Sequence, residues 1–188
     1  MESGLSMLDE CSFRTDRLTV SGWYNNGLSD IERAEIVIDH ITPESTKWLP
    51  QHWQHIRSVA ETMVWIDELE QSGATVLVAE DISTAKVVGM LMAAELEDSI
   101  TGPVHIGYLV SPSHQGRGYA TEIVIGFLDW AQSETRINSV LAGADRSHNA
   151  SRAVLKKAGF KLLSESRPGK NDVSYEFRIA RKFKNPGV

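Results

Sequence analysis

The chain has 188 residues, of which 41% are hydrophobic and 23% are charged, a composition typical of one globular domain. Its 19 basic and 25 acidic residues give a formal net charge of -6, so a cationic surface built for nucleic acid is not expected. Cys11 is the only cysteine, which excludes an intramolecular disulfide and a zinc site made of several cysteines.

Residues 1–12 lack the cationic start and the apolar run of a secretory signal. No segment approaches the roughly 20 apolar residues that would span a bilayer. We therefore expect a cytoplasmic protein that contacts neither a membrane nor nucleic acid. We also expect a single domain over residues 1–188, because no repeat or linker-like run divides the chain.

The first part of the chain has a weak secondary-structure pattern. Residues 17–23 are predicted to form a strand, and residues 28–40 a helix with a poor apolar stripe. Residues 41–52 are rich in turn formers and tryptophan, and no structure is assigned to them. Between residues 53 and 66 apolar side chains recur at helical spacing, and Gly73 follows as a helix stop.

The remainder of the chain alternates between strands and helices. Strands are predicted over residues 75–80, 87–96, 104–110, 140–144, 160–166 and 173–179. A continuous apolar stripe predicts a helix over residues 120–131. A shorter helix is predicted over residues 151–158, with Ser151 as its N-cap and Gly159 as a left-handed C-cap. This order predicts a mixed α/β domain.

The segment between the strand that ends at Val110 and the long helix is predicted to bind an anion. Two glycines, Gly116 and Gly118, allow the backbone to approach an oxygen ligand closely. The unpaired N–H groups at the start of a helix suit a phosphate or pyrophosphate, and Arg117 adds a positive charge. The segment is neither a P-loop nor a dinucleotide-binding fingerprint, because both of those spacings are absent.

The residues of this segment resemble a known cofactor motif. The sequence QGRGYA fits the pattern Q/R-x-x-G-x-G/A, which is the acyl-CoA pyrophosphate motif of the GNAT superfamily of N-acetyltransferases. The flanking sequences TDRL, IGY and GYATE, and the stretch SRAVLKKAGF, resemble the ribosomal-protein-alanine acetyltransferase branch. The resemblance extends over residues 15–177. It is densest in a core over residues 75–180 and loose over residues 23–74, where relatives build the acceptor site.

This resemblance implies a fold and a cofactor. The expected fold is an α/β domain whose central mixed, mostly antiparallel sheet of about seven strands is flanked by helices and splayed at the acyl-CoA site. The expected cofactor is acetyl-CoA. The backbone of Leu109 and Val110 would contact its pantetheine arm, with the Val110 N–H polarising the thioester carbonyl. Its pyrophosphate would be held by Gln115, Gly116, Arg117, Gly118, Tyr119 and Ala120.

The resemblance also implies direct attack of an amine on the thioester. An alkylamine has a pKa of about 10.4, so the enzyme must remove a proton. His105 is the candidate base, at a strand position where this branch often carries a glutamate, although it could equally be an ordinary strand histidine. Glu95 and Glu97 are alternative bases. Ser151 is the candidate proton donor to the leaving thiolate.

Two positions depart from the pattern of the family. His148 stands where relatives have an asparagine that contacts the cofactor, and Asn149 follows it, so either Asn149 makes this contact or the contact is lost. Leu155 stands where many members have the tyrosine that acts as general acid.

Other chemically suggestive residues have simpler interpretations. His52 and His55 are expected on a solvated helix face, since no carboxylate or cysteine completes a metal site. Trp48, Trp53 and Trp65 are expected to pack in the interior, although one of them could line an acceptor pocket.

The sequence thus predicts an N-acetyltransferase for a peptide N-terminus or a small amine, and its acidic charge slightly favours a cationic acceptor. The resemblance also favours a homodimer. A non-catalytic acyl-CoA sensor or scaffold is the alternative, and an unrelated phosphate-binding enzyme is the third hypothesis.

Overall fold

The computed structural model describes residues 6–25, 27–48, 54, 56–96, 101–164 and 171–180. Its strands are β1 Ser12–Arg14, β2 Leu18–Gly22, β3 Ala74–Asp81, β4 Lys86–Glu95, β5 Gly102–Val110, β6 Ile137–Asp145, β7 Lys161–Ser164 and β8 Asp172–Arg178. Its helices are α1 Asp30–His40, α2 Pro43–Thr46, α3 Val59–Gln71, α4 Tyr119–Ser133 and α5 Asn149–Lys157. In these ranges no helix combines the length and the apolar content needed to cross a membrane.

The strands form one eight-stranded sheet in the order β1-β2-β3-β4-β5-β6-β8-β7. Neighbouring strands are antiparallel, except that β5 and β6 run parallel. The expected mixed, mostly antiparallel α/β sheet is therefore confirmed, with eight strands in place of about seven. The strand that the sequence did not predict is β1, which has only three residues and therefore too little alternation to detect.

The two faces of the sheet carry separate hydrophobic clusters. The first cluster packs α4 and α5 onto one face, with Phe127 and Leu155 fully buried. The second cluster packs α1 and α3 onto the opposite face, around Trp23, Val37 and Trp65. The sheet therefore separates α4, which follows the glycine-rich segment, from α1 and α3, which belong to the variable segment.

Polar caps set the starts of the first helices. A reciprocal pair of bonds between Ser29 and Glu32 starts α1 at Asp30, two residues later than the predicted start. The Ser58 hydroxyl accepts the Glu61 N–H at 3.3 Å, so α3 begins at Val59, later than the predicted start. The predicted start itself, residue 53, lies outside the described residues. Gly73 follows α3 with a φ of 75°, as the predicted stop requires.

The predicted start of α5 is wrong. The Asp145 carboxylate accepts the Ser147 N–H at 2.7 Å and turns the chain early, and the Arg152 N–H then bonds to the His148 C=O at 3.1 Å. The helix therefore begins at Asn149, and Ser151 lies inside its first turn instead of capping it. Gly159 has a φ of 88° after the helix, which confirms the predicted left-handed C-cap.

Gly89 lies in β4, where that strand meets both β5 and α4. A Cβ at this position would lie 2.7 Å from the Leu109 carbonyl oxygen and 2.9 Å from Ile123 Cδ1. We expect Gly89→Ala to lower the free energy of unfolding by about 1–3 kcal/mol, because overpacking forces the strand or the helix to move. Gly143→Ala in β6 is the matched control, since nothing lies within 4 Å of its added Cβ. Denaturant unfolding that gives equal stabilities for the two variants would contradict this prediction.

Candidate functional site

The parallel pair β5 and β6 separates part of the way along. Its pairing ends at Ile106 and Ala142. Beyond this point β5 continues to Val110 on β4, while β6 continues to Asp145 on β8. A cavity of about 570 Å³ lies at the opening, within the usual range of ligand sites. Its walls come from the end of β5, the glycine-rich segment, the start of α5 and residues after α1.

The backbone of β5 faces the opening at alternate residues. Leu96 donates its N–H to the Pro103 C=O at 3.2 Å, and Ser111 donates to the Val88 C=O at 3.0 Å. Odd-numbered residues of β5 therefore bond to β4, and the even-numbered Tyr108 and Val110 present their backbone groups to the opening. The expectation for Leu109 is corrected, because its backbone groups face β4 and its side chain packs in the second hydrophobic cluster. The backbone groups of Tyr108 face the opening instead.

Gln115 connects the glycine-rich segment to β5. Its Nε2 donates to the Val110 C=O at 3.1 Å, and its backbone N–H bonds to the Pro112 C=O at 3.4 Å. Gln115 therefore positions the segment, and its own amide is not free for an anion. Val110 retains a backbone N–H that faces the opening.

The backbone amides that follow Gln115 are free. Among the described residues, none accepts a hydrogen bond from the N–H groups of residues 116–121, and the first bonded amide is that of Glu122, which donates to the Gly118 C=O at 3.0 Å. Gly116 and Gly118 have φ values of 76° and 85°, which a residue with a side chain rarely adopts. A left-handed glycine on each side of Arg117, followed by a helix start, makes a concave group of donors suited to phosphate oxygens.

Side chains from two distant turns support this amide group. Arg17, before β2, donates from Nη1 to the Arg117 C=O at 3.1 Å and from Nε to Glu122 Oε2 at 2.7 Å. Its guanidinium also lies 4.3 Å from the centre of the Tyr119 ring. The Tyr119 hydroxyl donates to Asp81, the last residue of β3, at 2.6 Å. The sequence motifs TDRL and GYATE contain three of these residues, but their contact could not be read from the sequence.

His105 lies in β5 just before the opening, and its side chain is exposed. Although part of the side chain is accessible to solvent, neighbouring residues desolvate the ring and lower its pKa, so the ring is mostly neutral at neutral pH. It is about 17 Å along the strand from the Val110 N–H and about 10 Å from the Tyr108 N–H, so a proton can reach it only through water.

Glu95, the alternative base, lies away from His105. It accepts a hydrogen bond from the Ser6 hydroxyl at 2.9 Å. Glu95 has the same parity in β4 as Leu91, whose side chain belongs to the first cluster, whereas His105 has the parity of Leu109, which belongs to the second. The two side chains therefore project from opposite faces of the sheet. Glu97 lies outside the described residues.

Two hydroxyl groups meet at the wall of the cavity. Tyr108 Oη lies 2.9 Å from Ser151 Oγ, and both residues line the cavity. Burial raises the pKa of Tyr108 to about 12, although the bond to Ser151 opposes this shift. The sequence motif IGY includes Tyr108, but nothing in the sequence indicated that its hydroxyl meets Ser151.

The start of α5 meets the variable segment across the cavity. His148 stacks on Trp48, with ring centres 4.6 Å apart and planes 9° apart, while Lys47 Nζ lies 4.7 Å from the centre of the Trp48 ring. Asn149 also lines the cavity, so both candidates for the asparagine contact are at the site. Desolvation, and then the charge of Lys47, lower the pKa of His148.

The remaining candidate residues lie in the core or outside the described residues. Trp65 is buried in the second cluster, as the packing interpretation expects, whereas His52, Trp53 and His55 lie outside the described residues. Cys11 is fully buried, and burial raises the pKa of its thiol to about 12, which suppresses the thiolate. Over the described ranges, histidine, cysteine and acidic side chains do not gather into a metal-binding group.

Comparisons with known proteins point to one family. A model of the acetyltransferase (GNAT) domain matches residues 27–161. The uncharacterized protein YkkB of Bacillus subtilis (strain 168) is 25% identical over 114 residues, which are 57% of this chain and 65% of YkkB. The chain thus spans somewhat less than two thirds of that relative's length.

Solved structures share the fold. An acetyltransferase of the GNAT family from Bacillus anthracis superposes with a TM-score of 0.72 at 15% identity, covering 90% of this chain and 99% of that one. RimL, a ribosomal L7/L12 alpha-N-protein acetyltransferase in complex with coenzyme A, gives a TM-score of 0.71 at 16% identity, covering 90% and 98%. At these identities the likeness is one of fold.

We expect Gly118→Val to weaken coenzyme A binding by at least about tenfold, because a branched side chain at this φ reshapes the amide group. Gly73→Val is the matched control, since Gly73 has a φ of 75°, has nothing within 4 Å of its added Cβ and does not line the cavity. Isothermal titration on both variants measures the effect. Equal coenzyme A affinity in the two variants would show that the amides around Gly118 do not bind the pyrophosphate.

Proposed function

The chain belongs to the GNAT acetyltransferase domain family, and from this premise we propose that it transfers an acetyl group from acetyl-CoA to a primary amine. The observation that carries the proposal is the run of free backbone amides over residues 116–121, beside a strand edge that has lost its neighbour. Acetyl-CoA needs both features, because it combines a diphosphate with an amide-containing arm.

The cofactor-binding residues have distinct roles in this proposal. The amides of Gly116 to Ala120 hold the pyrophosphate, and Arg117 adds charge. Gln115 positions these amides through the hydrogen bond from its Nε2 to the Val110 C=O. The backbone groups of Val110 and Tyr108 pair with the pantetheine arm as a neighbouring strand would. Either of their N–H groups can donate to the thioester carbonyl as negative charge develops on its oxygen.

The reaction proceeds by direct attack within a ternary complex. Bound acetyl-CoA supplies an activated carbonyl and a thiolate leaving group. His105, neutral at neutral pH, accepts the proton of the acceptor ammonium through water. Ser151, in the cavity wall, donates toward the departing sulfur. Cys11 is buried in the first cluster, so no covalent enzyme intermediate is proposed.

The acceptor is a peptide N-terminus or a small amine, and the net charge of -6 slightly favours a cationic one. The residues that line the cavity from the variable segment are Ser45, Lys47 and Trp48. They are the described residues best placed to contact an acceptor. A homodimer remains part of this proposal.

A non-catalytic acyl-CoA sensor is the second candidate. Two observations favour it: His148, at the asparagine position, is stacked on Trp48, and Leu155, at the tyrosine position, is fully buried in the core. The cofactor groove would then bind acetyl-CoA without a complete set of proton-transfer groups.

Release of the free thiol from acetyl-CoA, measured with a panel of amines, separates these functions. We expect release that depends on the amine, with peptide N-termini and small cationic amines most active. Tight binding of acetyl-CoA with no stimulation by any amine would favour the sensor. A preference for nucleotides over coenzyme A would indicate an unrelated phosphate-binding enzyme instead.

We expect His105→Ala to lower kcat/KM most at neutral pH. The base form of His105 is lost as pH falls through its pKa, which lies below the usual value of about 6.5. Wild-type activity should therefore decline on the acid side of that value, and the variant should lack this decline. Glu95→Gln, on the opposite face of the sheet, is the control. An unchanged pH–rate profile in His105→Ala would exclude His105 as the base.

A further inference from the structure

We propose that Tyr108 is a positioning residue that holds the Ser151 hydroxyl as a hydrogen-bond donor to the sulfur of the leaving thiolate. The inference rests on the proposed acetyl transfer and extends it to a residue for which no side-chain role has been assigned. Its basis is the hydroxyl pair at the wall of the cavity, where Tyr108 Oη lies 2.9 Å from Ser151 Oγ.

The two hydroxyls lie at the position along β5 where the sulfur of bound coenzyme A is expected. The pyrophosphate amides begin beyond the end of β5, so the arm runs back along the strand from Val110 toward Ile106, where pairing with β6 closes the opening. Tyr108 lies between these two residues. Its side chain packs against the first cluster, on the face that α5 covers, and this places its hydroxyl beside Ser151.

The bond between the two hydroxyls orients Ser151. A serine inside a helix commonly turns its hydroxyl back onto a carbonyl of the preceding turn. Here Ser151 Oγ contacts Tyr108 instead. Tyr108 Oη has two possible acceptors, the Ser151 C=O at 3.2 Å and the closer Ser151 Oγ at 2.9 Å. When Tyr108 donates to Ser151 Oγ, the serine proton is free to point into the cavity, and the chain of two hydroxyls strengthens it as a donor.

The pair stabilises the thiolate without giving up a proton. Burial raises the pKa of Tyr108 to about 12, well above the value of about 8.5 that is usual for a thiol. As the C–N bond forms and the C–S bond breaks, the electron pair leaves on sulfur, where Ser151 donates a hydrogen bond. Before attack, the ammonium proton passes through water to His105. The second N–H proton leaves the tetrahedral adduct for solvent, and the released thiolate takes its proton from solvent.

The position of Leu155 explains why the hydroxyl that holds Ser151 comes from a strand. Leu155 has no hydroxyl and is fully buried in the first cluster, so α5 supplies no second hydroxyl from the position where many members of the family have a tyrosine. Tyr108, in β5, supplies a hydroxyl beside Ser151 instead.

Comparison of coenzyme A with desulfo-coenzyme A, which lacks only the sulfur atom, tests the proposal without requiring turnover. We expect wild type to bind coenzyme A more tightly, and increasingly so as pH rises and the thiolate forms. Tyr108→Phe should reduce this preference by about three- to tenfold while leaving desulfo-coenzyme A affinity unchanged. Ser151→Ala should abolish the preference. Tyr175→Phe is the control, since its hydroxyl contacts Arg152 away from the cavity.

The ultraviolet absorbance of the thiolate gives a second readout. Titration of bound coenzyme A should show a thiol pKa lower in wild type than in solution, and closer to the solution value in Tyr108→Phe. An unshifted pKa in wild type, or an equal loss of affinity for both ligands in Tyr108→Phe, would overturn the proposal and leave Tyr108 a packing residue. Failure of wild type to bind either ligand would instead overturn the proposed function, and this inference with it.

Discussion

A strand edge without a neighbour carries N–H and C=O groups that need partners, and this requirement organises the protein. β5 is paired on both sides only as far as Ile106, and its remaining residues have a neighbour on one side. Gln115 satisfies one of the exposed carbonyls, that of Val110. The other groups face a cavity, and an extended ligand with amide groups, such as the proposed acetyl-CoA, would complete the sheet there.

The segment over residues 116–121, the proposed pyrophosphate site, is a second place where the chain leaves polar groups without partners among the described residues. Such a segment keeps its shape only if neighbouring structure determines it. Arg17 supplies that support from the turn before β2, and Asp81 supplies it from the end of β3 through its bond to Tyr119. Glu122 joins Arg17 to α4. The free amides are therefore held ready before a ligand arrives, which lowers the entropic cost of binding.

Local sequence patterns predicted the helices and strands well, but they did not predict contacts between residues far apart in the chain. The apolar stripe that includes fully buried Phe127 is a property of neighbouring residues, so α4 was predictable. Whether Tyr108 or Leu109 faces the opening depends on the register between β5 and β4, which no single strand reveals. The Tyr119–Asp81 bond joins positions 38 apart. The N-cap assigned to Ser151 failed because a turn formed earlier in the chain started the helix first.

The position of the sheet between two hydrophobic clusters has a consequence for how such a protein diversifies. α4 and α5 build the cofactor side from one cluster, and α1 and α3 build the other layer from the second. Substitutions in separate layers that share no contacts act almost independently on stability. Under the proposed function, acceptor preference could therefore change through substitutions in one layer while the other keeps the same cofactor, except where the stacked rings of Trp48 and His148 join the two.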